Sequence, residues 1–316
     1  RVFAQSGVRF VATSRIDQLR AMRDAGIGAP LMMIRVSMLS EAEDVAALSD
    51  ASLQSDLTVI RALNAAAKRQ GKVHQVILMI DLGDLREGFW DAEELVDAAV
   101  EIERELKNLH LLGVGVNLSC YGSVKPNVRN MQGLVSLAAD VEKAIGRPLE
   151  YISGGASTSM YMVLNDTMPC RVNLLRPGEM LLTGQIYGCS PDFTRKDAFT
   201  LKAQVVECRD KPSFPVGELT VDAFGKVASY EDRGIRRGAL VAVGRVDYGD
   251  FADLRPRTPG VEILGASSDH TILDVEAVKE EIRAGDVLEF DVGYPALVYL
   301  TNTKSVEIVY RGTENP

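Results

Sequence analysis

Hydrophobic positions from residue 9 to about residue 184 alternate between short apolar runs and longer amphipathic stretches, and the alternation repeats six or seven times. Such a pattern is typical of parallel strands joined by crossover helices. We predict seven strands, at residues 9–12, 31–36, 51–54, 76–82, 111–118, 151–153 and 172–175. Runs that are apolar without alternation, such as VILMI at 76–80, indicate strands buried on both faces.

Helical periodicity fills the intervals between these runs. It predicts helices at residues 16–25, 92–106 and 131–145, with Gly26 and Gly146 as stop signals after the first and third. A closed (β/α)₈ barrel has eight strands, so the fold predicted is such a barrel lacking one βα unit. Because the chain opens on RVFAQSG, which resembles the last turns of a helix, we expect the missing unit in a segment of about 40 residues before residue 1.

The pattern changes after residue 185 to short β-like segments separated by Gly and Pro turns. We therefore predict a barrel domain over residues 1–185 and a second, mostly antiparallel β domain over residues 186–316. Strands of the second domain are predicted at 200–207, 239–243, 261–264, 270–274, 287–291 and 306–310. The only helical pattern in this part covers residues 275–284.

Composition narrows the classes of function. With 35 Lys and Arg against 44 Asp and Glu, the net charge of −9 provides no field that attracts nucleic acid or an anionic membrane. No apolar run approaches the roughly 18 residues of a membrane span, and RVFAQSGVRF lacks the layout of a secretory signal, so we expect a cytoplasmic protein. The cysteines, Cys120, Cys170, Cys189 and Cys208, show no CxxC spacing, and the three histidines are scattered, which argues against disulfides and metal sites.

Candidate chemistry follows the predicted strands, where a βα barrel places its reactive groups. The four segments are IDLGDLREGFW at 80–90, GVGVNLSCYG at 113–122, ISGGASTSM at 152–160 and NLLRPGEMLLTG at 173–184. ISGGASTSM, ahead of a predicted helix at 158–164, suits a phosphate but also an ordinary N-cap and turn. RPGE at 176–179 is open to the same two interpretations. Because both follow the last two strands, where barrels commonly hold a phosphate, we favour a phosphorylated substrate or cofactor.

Seven blocks in order carry a family resemblance. They are FVATSRIDQLRAM, MIRVSMLSEAEDV, IDLGDLREGFW, GVNLSCYG, ISGGASTSM, LLRPGEMLLTG and EILGASSDHTILD. The chain resembles the barrel-type, pyridoxal-phosphate-dependent alanine racemases, especially their alanine/ornithine racemase branch. The resemblance implies a homodimer that interconverts L- and D-amino acids by two-base transfer of the α-proton. It also implies that residues 244–248 and 267–269 reach into the partner's active site.

The resemblance also implies which residues bind the phosphate of pyridoxal phosphate. The hydroxyl of Ser157 and the backbone around Gly155 and Thr158 match the phosphate-binding loop. The amides of Gly178 and Glu179 match a second set of donors to the same phosphate.

Three further side chains match positions around the cofactor ring. Arg176 matches the arginine that faces the pyridine nitrogen, and Asn117 falls where classical members carry a histidine. A guanidinium cannot accept a proton, so it leaves the ring nitrogen neutral and the electron sink weak, which suits a racemase. Arg86 matches the arginine near the phenolic oxygen and the substrate carboxylate; the alternative is a solvated arginine paired with Asp84 or Glu87.

The two proton-transfer bases of the family have no direct match in this sequence. The lysine to which the family attaches its cofactor lies in a block before residue 1, and no lysine in this sequence matches it. Classical members use a tyrosine after a glycine of the β domain, where this sequence has Arg245. We predict Tyr248 as the second base, with Cys120 as the other candidate; a small buried filler is the alternative for Cys120.

The sequence is compatible with more than one substrate and more than one reaction type. Asp84, Glu87 and Glu179 are acidic side chains that suit a cationic substrate such as ornithine, but alanine fits the resemblance equally. Two alternatives to a racemase are a related barrel enzyme that decarboxylates diamino acids and a non-catalytic pyridoxal-phosphate-binding protein. The second alternative fits a sequence without the family's lysine.

Overall fold

A computed structural model describes residues 2–186, 191–221, 224, 225, 227 and 229–311 of the chain. It divides into two compact units, Arg1–Leu181 with Gln185–Pro191, and Leu182–Gly184 with Asp192–Pro316. In the described ranges, no helix combines the length and the apolar character that crossing a bilayer requires.

Parallel strands and crossover helices build the first part of the chain. The elements in chain order are α1 (Val2–Gln5), β1 (Val11–Thr13), α2 (Ile16–Asp24), β2 (Leu31–Met33), α3 (Ala42–Leu48), β3 (Ala51–Gln54), α4 (Leu57–Arg69), β4 (His74–Ile80), α5 (Ala92–Arg104), β5 (Leu109–Val116), α6 (Val128–Ile145), β6 (Tyr151–Ser153), α7 (Met160–Leu164) and α8 (Glu179–Thr183). Short 3₁₀ turns cover Leu39–Glu41 and Ser157–Ser159. The strands pair in parallel in the order β1-β2-β3-β4-β5-β6, which confirms the predicted parallel βα domain.

The sheet is buried on both faces, as its continuous apolar runs predict. Met32, Leu53 and Met79 belong to an apolar cluster on one face. Met33 and Leu78 point to the other face, where they pack in a larger cluster with residues of the helices. Parallel strands covered in this way do not alternate between apolar and polar residues.

Helix starts and stops are set by local capping. The side chains of Asp56 and Asp91 accept backbone N–H bonds at the starts of α4 and α5. Asn127 and Asn130 cap each other's backbone, so α6 begins earlier than the predicted residue 131. At its other end Gly146 adopts the left-handed conformation, with φ of 79°, as the stop signal predicts.

The second part of the chain is antiparallel, as predicted. Its elements are β7 (Leu201–Pro212), β8 (Ile235–Val241), α9 (Arg245–Tyr248), β9 (Leu254–Pro256), β10 (Glu262–Ala266), β11 (Thr271–Asp274), β12 (Val287–Val292) and α10 (Tyr294–Leu300), with a 3₁₀ turn at Phe251–Asp253. The strands pair in the order β10-β11-β8-β7-β12-β9. Phe290, Leu273 and Tyr248 lie in its core with no exposed surface.

Two elements predicted for this part do not form. Residues 275–284 are turns rather than a helix: Val275, Val278 and Ile282 have helical spacing, but they pack against the core from successive turns. Residues 306–310 form no strand, and Ile308 and Tyr310 are exposed. The helix α10 was not predicted, although Pro295 in its first turn is a helix-start signal.

The predicted strand at 172–175 is reduced to a single parallel bridge between Ser153 and Leu174. The side chain of Asn173 takes over part of the pairing with β6. Its Oδ1 accepts the N–H of Ile152 at 2.9 Å, and its Nδ2 donates to the carbonyl of Glu150 at 2.8 Å. An amide side chain therefore supplies the donor and the acceptor that a regular strand would supply from its backbone.

We predict that Asn173→Ala lowers the free energy of unfolding by about 1–2 kcal/mol, because two hydrogen bonds to β6 are lost together. Urea unfolding at neutral pH measures the change. Asn165→Ala is the matched control, because the exposed Asn165 side chain makes no hydrogen bond with the described residues, and we expect it to change stability by less than about 0.5 kcal/mol. Equal stability of the two variants would contradict the role given to Asn173.

Candidate active site

Four loops follow the carboxyl ends of neighbouring strands and are tied to one another by hydrogen bonds. The N–H of Gly122, after β5, donates to the carbonyl of Asp84, after β4, at 2.9 Å. Thr158, after β6, donates its hydroxyl to the carbonyl of Leu118 at 3.1 Å. The N–H of Arg176 donates to the carbonyl of Gly155 at 2.9 Å. The segments that the sequence singles out therefore meet at one edge of the sheet.

The carboxylate of Asp84 organises the loop after β5. It is buried and accepts backbone N–H bonds of 2.9–3.1 Å from Ser119, Cys120, Tyr121 and Val124. Burial alone would raise the pKa of Asp84, but the four N–H donors outweigh it and hold this pKa below its ordinary value. The carboxylate is thus committed to the loop, and the suggestion that it receives a cationic substrate is not supported.

Backbone strain concentrates in the same two loops. Leu85, Ser119 and Ser123 have φ of 58°, 63° and 55°, a region that residues other than glycine seldom occupy. Such conformations persist only where surrounding contacts enforce them, and they are frequent at functional sites. The bonds to Asp84 are contacts of this kind.

Ser157 is buried and receives two backbone donors. Its Oγ accepts the N–H groups of Gly178 and Met180, each at 3.1 Å. These bonds occupy both lone pairs of the hydroxyl, so its own proton is left to donate to an anion. The predicted bonds from the amides of Gly178 and Glu179 concern a phosphate and stay a prediction. Burial raises the pKa of the Glu179 carboxyl.

Glycine is required in the loop before Ser157. Gly155 has φ of 104°, and a Cβ on it would lie 2.7 Å from the Oγ of Ser159. A Cβ on Gly154 would lie 2.6 Å from Val172. The hydroxyl of Ser159 is itself buried and has no hydrogen-bond partner within the described ranges. The chain can therefore follow this close path only with two consecutive glycines.

Arg176 directs its guanidinium across the ends of β5 and β6. It donates to the hydroxyl of Ser153, to the carbonyl of Val116 at 2.9 Å and to the Oδ1 of Asn117 at 2.7 Å. All three acceptors are uncharged. Burial lowers the pKa of Arg176 to about 10, which keeps the group protonated at neutral pH.

The hydrogen bonds continue from Arg176 to Arg86. Asn117 donates its Nδ2 to Glu87, whose carboxylate also pairs with the Nε and Nη2 of Arg86, the latter at 2.7 Å. This pairing raises the pKa of Arg86. The ion pair between Arg86 and Glu87, which is the alternative to a functional role for Arg86, is therefore present. The pair is hydrogen-bonded to Asn117, so it lies beside the other predicted site residues.

Comparison with known proteins identifies the family. The family profile for the alanine racemase N-terminal domain matches residues 1–186. Ornithine racemase of Acetoanaerobium sticklandii is 43% identical over 293 residues, which cover 92% of this chain and 82% of that one. Lysine racemase of Thermotoga maritima is 33% identical over 308 residues, covering 97% and 85%. The chain belongs to the alanine racemase family.

Solved structures agree on the fold. An alanine racemase of Clostridium difficile 630 superposes with a TM-score of 0.68 at 18% identity, over 95% of this chain and 78% of that one. An alanine racemase of Bartonella henselae, solved with covalently bound pyridoxal phosphate, gives 0.62 at 18% identity, over 90% and 76%. At this identity the likeness concerns the fold, and it confirms the predicted class of a barrel-type βα domain followed by a β domain.

Cys120 lies at the same edge as the other candidate residues of this racemase-family chain. The residue is exposed, and its Sγ donates to the carbonyl of Leu118 at 3.7 Å. Partial burial of the sulfur raises its pKa, which Arg86 counteracts in part. The thiol is thus protonated at neutral pH and is suited to donating a proton rather than taking one. Cys189 lies outside the described residues.

The position of Tyr248 does not support its assignment as the second base. The residue has no exposed surface, and its hydroxyl hydrogen-bonds the Oγ1 of Thr271 at 2.7 Å within the core of the β domain. Burial raises its pKa. At the position where the family resemblance expects a tyrosine, the guanidinium of Arg245 instead stacks on Phe224 and Phe251, 4.5 and 5.7 Å from the ring centres.

Two features of the site escape prediction from the sequence. Asp84 is the anchor of the loop after β5, and Glu87 links Arg86 to Asn117. Both are acidic residues of the segment at 80–90, and their order in the sequence does not tell their roles apart. Only the fold shows which backbone or side-chain group each of them contacts. Clusters of three or more metal-ligating side chains do not occur in the described ranges.

We predict that Asp84→Asn lowers the free energy of unfolding by about 2 kcal/mol at pH 7, because an amide NH₂ would face backbone donors. The lowered pKa of Asp84 means that its carboxylate stabilises the fold above the unfolded pKa of about 3.9 and ceases to do so as pH falls through the folded value. The difference in the free energy of unfolding between wild type and Asp84→Asn should therefore be constant from pH 8 to 6. It should shrink below about pH 4. A difference that stays constant into acid would contradict this assignment.

Proposed function

We propose that this protein is a pyridoxal-phosphate-dependent amino-acid racemase that acts on a basic amino acid such as ornithine or lysine. The observation that carries the proposal is the joint placement of Ser157 and Arg176. Arg176 bonds through its backbone to Gly155, two residues before Ser157, and Gly178, two residues after Arg176, bonds to the Ser157 hydroxyl. An anion-binding hydroxyl and a protonated guanidinium are thereby fixed on interlocked loops.

The residues present fit the cofactor. The Ser157 hydroxyl retains a proton to donate, and the close path through Gly154 and Gly155 brings backbone near it, as a phosphate requires. Arg176 suits the far end of the ring, and Arg86 suits the phenolic oxygen and the substrate carboxylate. The solved alanine racemase that carries pyridoxal phosphate supports the same cofactor here.

Pyridoxal phosphate, when bound, supplies an electron sink that acidifies the α-hydrogen of an amino acid. The task of Arg176 is to stay protonated beside the ring nitrogen and to give that nitrogen no proton, which its pKa of about 10 ensures. A guanidinium at this place would keep the sink weak, and that would favour return of the proton to the α-carbon over competing reactions. Cys120, protonated at the same edge, is a candidate for giving a proton back.

Preference for a basic substrate is supported by the two relatives, which are named ornithine racemase and lysine racemase. In the test, purified protein with added pyridoxal phosphate is incubated with each enantiomer of ornithine, lysine, alanine and serine. Polarimetry and α-hydrogen exchange in D₂O follow the reaction. We expect ornithine or lysine to racemise at least about 10-fold faster than alanine, since a charged side chain offers strong discrimination.

Other outcomes would contradict the proposal in distinct ways. Release of carbon dioxide and a diamine would indicate a decarboxylase. Cofactor binding without α-hydrogen exchange would indicate a non-catalytic binding protein. Faster turnover of alanine would contradict the basic substrate while leaving the racemase intact.

We predict that Ser157→Ala weakens the affinity for pyridoxal phosphate about 10- to 100-fold, because a hydrogen bond to a charged phosphate is lost. Titration followed by the cofactor's absorbance measures the dissociation constant. Ser159→Ala is the control, since this neighbouring hydroxyl is buried without a partner in the described ranges, and we expect its affinity within about two-fold of wild type. Equal affinities of the two variants would contradict the role given to Ser157.

A further inference from the structure

Glu87 occupies the centre of a continuous chain of hydrogen bonds between two arginines. Its carboxylate pairs with Arg86 through two bonds and accepts the Nδ2 of Asn117, whose Oδ1 accepts from Arg176 at 2.7 Å. The Glu87 side chain is only 12% exposed, against 44% for Arg86. It therefore lies within the site and not on the surface around it.

The orientation of the Asn117 amide depends on Glu87. An amide oxygen must face the donor Arg176, and this requires its NH₂ group to point the other way, towards an acceptor. Glu87 supplies that acceptor. Without it the amide could turn over and present its NH₂ to the guanidinium of Arg176.

Charge gives Glu87 a second effect on the same arginines. The direct acceptors of Arg176 are all uncharged, and Glu87 is the carboxylate that counteracts the lowering of the Arg176 pKa by burial. The Glu87 carboxylate therefore acts on the charge of both guanidinium groups, in addition to its hydrogen bonds.

We propose that Glu87 is a positioning residue of this site, which orients Arg86 directly and Arg176 through Asn117. The inference rests on the proposed function and deepens it, since the family resemblance gives roles to the two arginines and the asparagine but none to the carboxylate that joins them. The competing explanation is an ordinary surface ion pair, which would contribute little.

Arg61 and Glu101 provide a matched control for that explanation. Their bonds are also bidentate, at 2.6 and 2.7 Å, and the Glu101 side chain is 18% exposed. The pair joins α4 to α5, away from the strand-end loops. Glu101→Gln therefore removes a comparable carboxylate without touching the site.

The first measurement compares Glu87→Gln, Glu87→Asp and Glu101→Gln for kcat, KM and the absorbance maximum of bound pyridoxal phosphate. Gln can still accept from Asn117, but its NH₂ would face Arg86. We expect Glu87→Gln to lower kcat/KM about 10-fold or more and to shift the absorbance maximum, as loss of a residue that orients a binding group does elsewhere. Glu87→Asp should recover part of the loss, and Glu101→Gln should stay within about two-fold of wild type.

The second measurement needs neither bound cofactor nor activity. The Cys120 thiol senses Arg86 and Arg176, which lower its pKa, and Asp84 and Glu87, which raise it. Alkylation of Cys120 by iodoacetamide, followed against pH by mass spectrometry of its peptide in cofactor-free protein, reports this balance. We expect Glu87→Gln to move the midpoint to lower pH, while Glu87→Asp and Glu101→Gln leave it in place.

The outcomes separate this proposal from the proposed function. Wild-type protein that neither binds pyridoxal phosphate nor racemises would overturn the function, while the alkylation midpoint would still show whether the Glu87 charge acts within this cluster of residues. A folded Glu87→Gln protein with wild-type kinetics and absorbance would overturn the positioning role, whatever its alkylation midpoint.

If the Glu87→Gln protein does not fold, the kcat/KM of Glu87→Asp tests the proposal instead. Its carboxylate is one methylene shorter and cannot reach both Arg86 and Asn117, so kcat/KM should fall although the alkylation midpoint is unchanged. Wild-type kcat/KM in Glu87→Asp would then overturn the proposal.

Discussion

A guanidinium held at the end of a parallel sheet by uncharged acceptors is the constraint on which this site depends. Burying a charge is costly unless its hydrogen bonds are satisfied. Arg176 meets that condition with the last carbonyl of β5, the last hydroxyl of β6 and the amide of Asn117. The carbonyl of Val116 and the hydroxyl of Ser153 belong to paired strands, so the sheet fixes two of the three acceptors, and the Asn117 amide is oriented by its bond to Glu87.

The surrounding loops extend this order from strand to strand. Asp84 gathers four backbone N–H groups of the loop after β5, and Thr158 ties the loop after β6 to the same segment. The hydroxyl of Ser157 is then fixed by Gly178 and Met180 beyond Arg176. Backbone hydrogen bonds thus hold the Ser157 hydroxyl and the backbone of Arg176, the residues suited to the two ends of one cofactor. A substrate cannot easily displace these backbone bonds.

Sequence patterns predict the features of this site that depend on strand order. They predict poorly which backbone or side-chain group a given residue contacts. Ser157 follows β6 and Arg176 follows the segment that bridges to β6 at Leu174, so the two residues share an edge, as their places in the sequence predict. Nothing in the order of acidic residues distinguishes Asp84 from Glu87, which differ in what they contact. Tyr248 has the residue type of a base, but α9 turns it into the core. Likewise, apolar spacing at 275–284 imitates a helix, and Asn173 replaces strand backbone with its side chain.

In the proposed function, Arg176 faces the ring nitrogen of pyridoxal phosphate and leaves it without a proton. The ¹⁵N chemical shift of cofactor labelled at that nitrogen, measured in the loaded protein at neutral pH, tests this directly. We expect the shift of an unprotonated pyridine nitrogen that accepts a hydrogen bond. The shift of a pyridinium nitrogen would contradict this placement, because a pyridinium N–H and a guanidinium are both positively charged donors and cannot share a hydrogen bond.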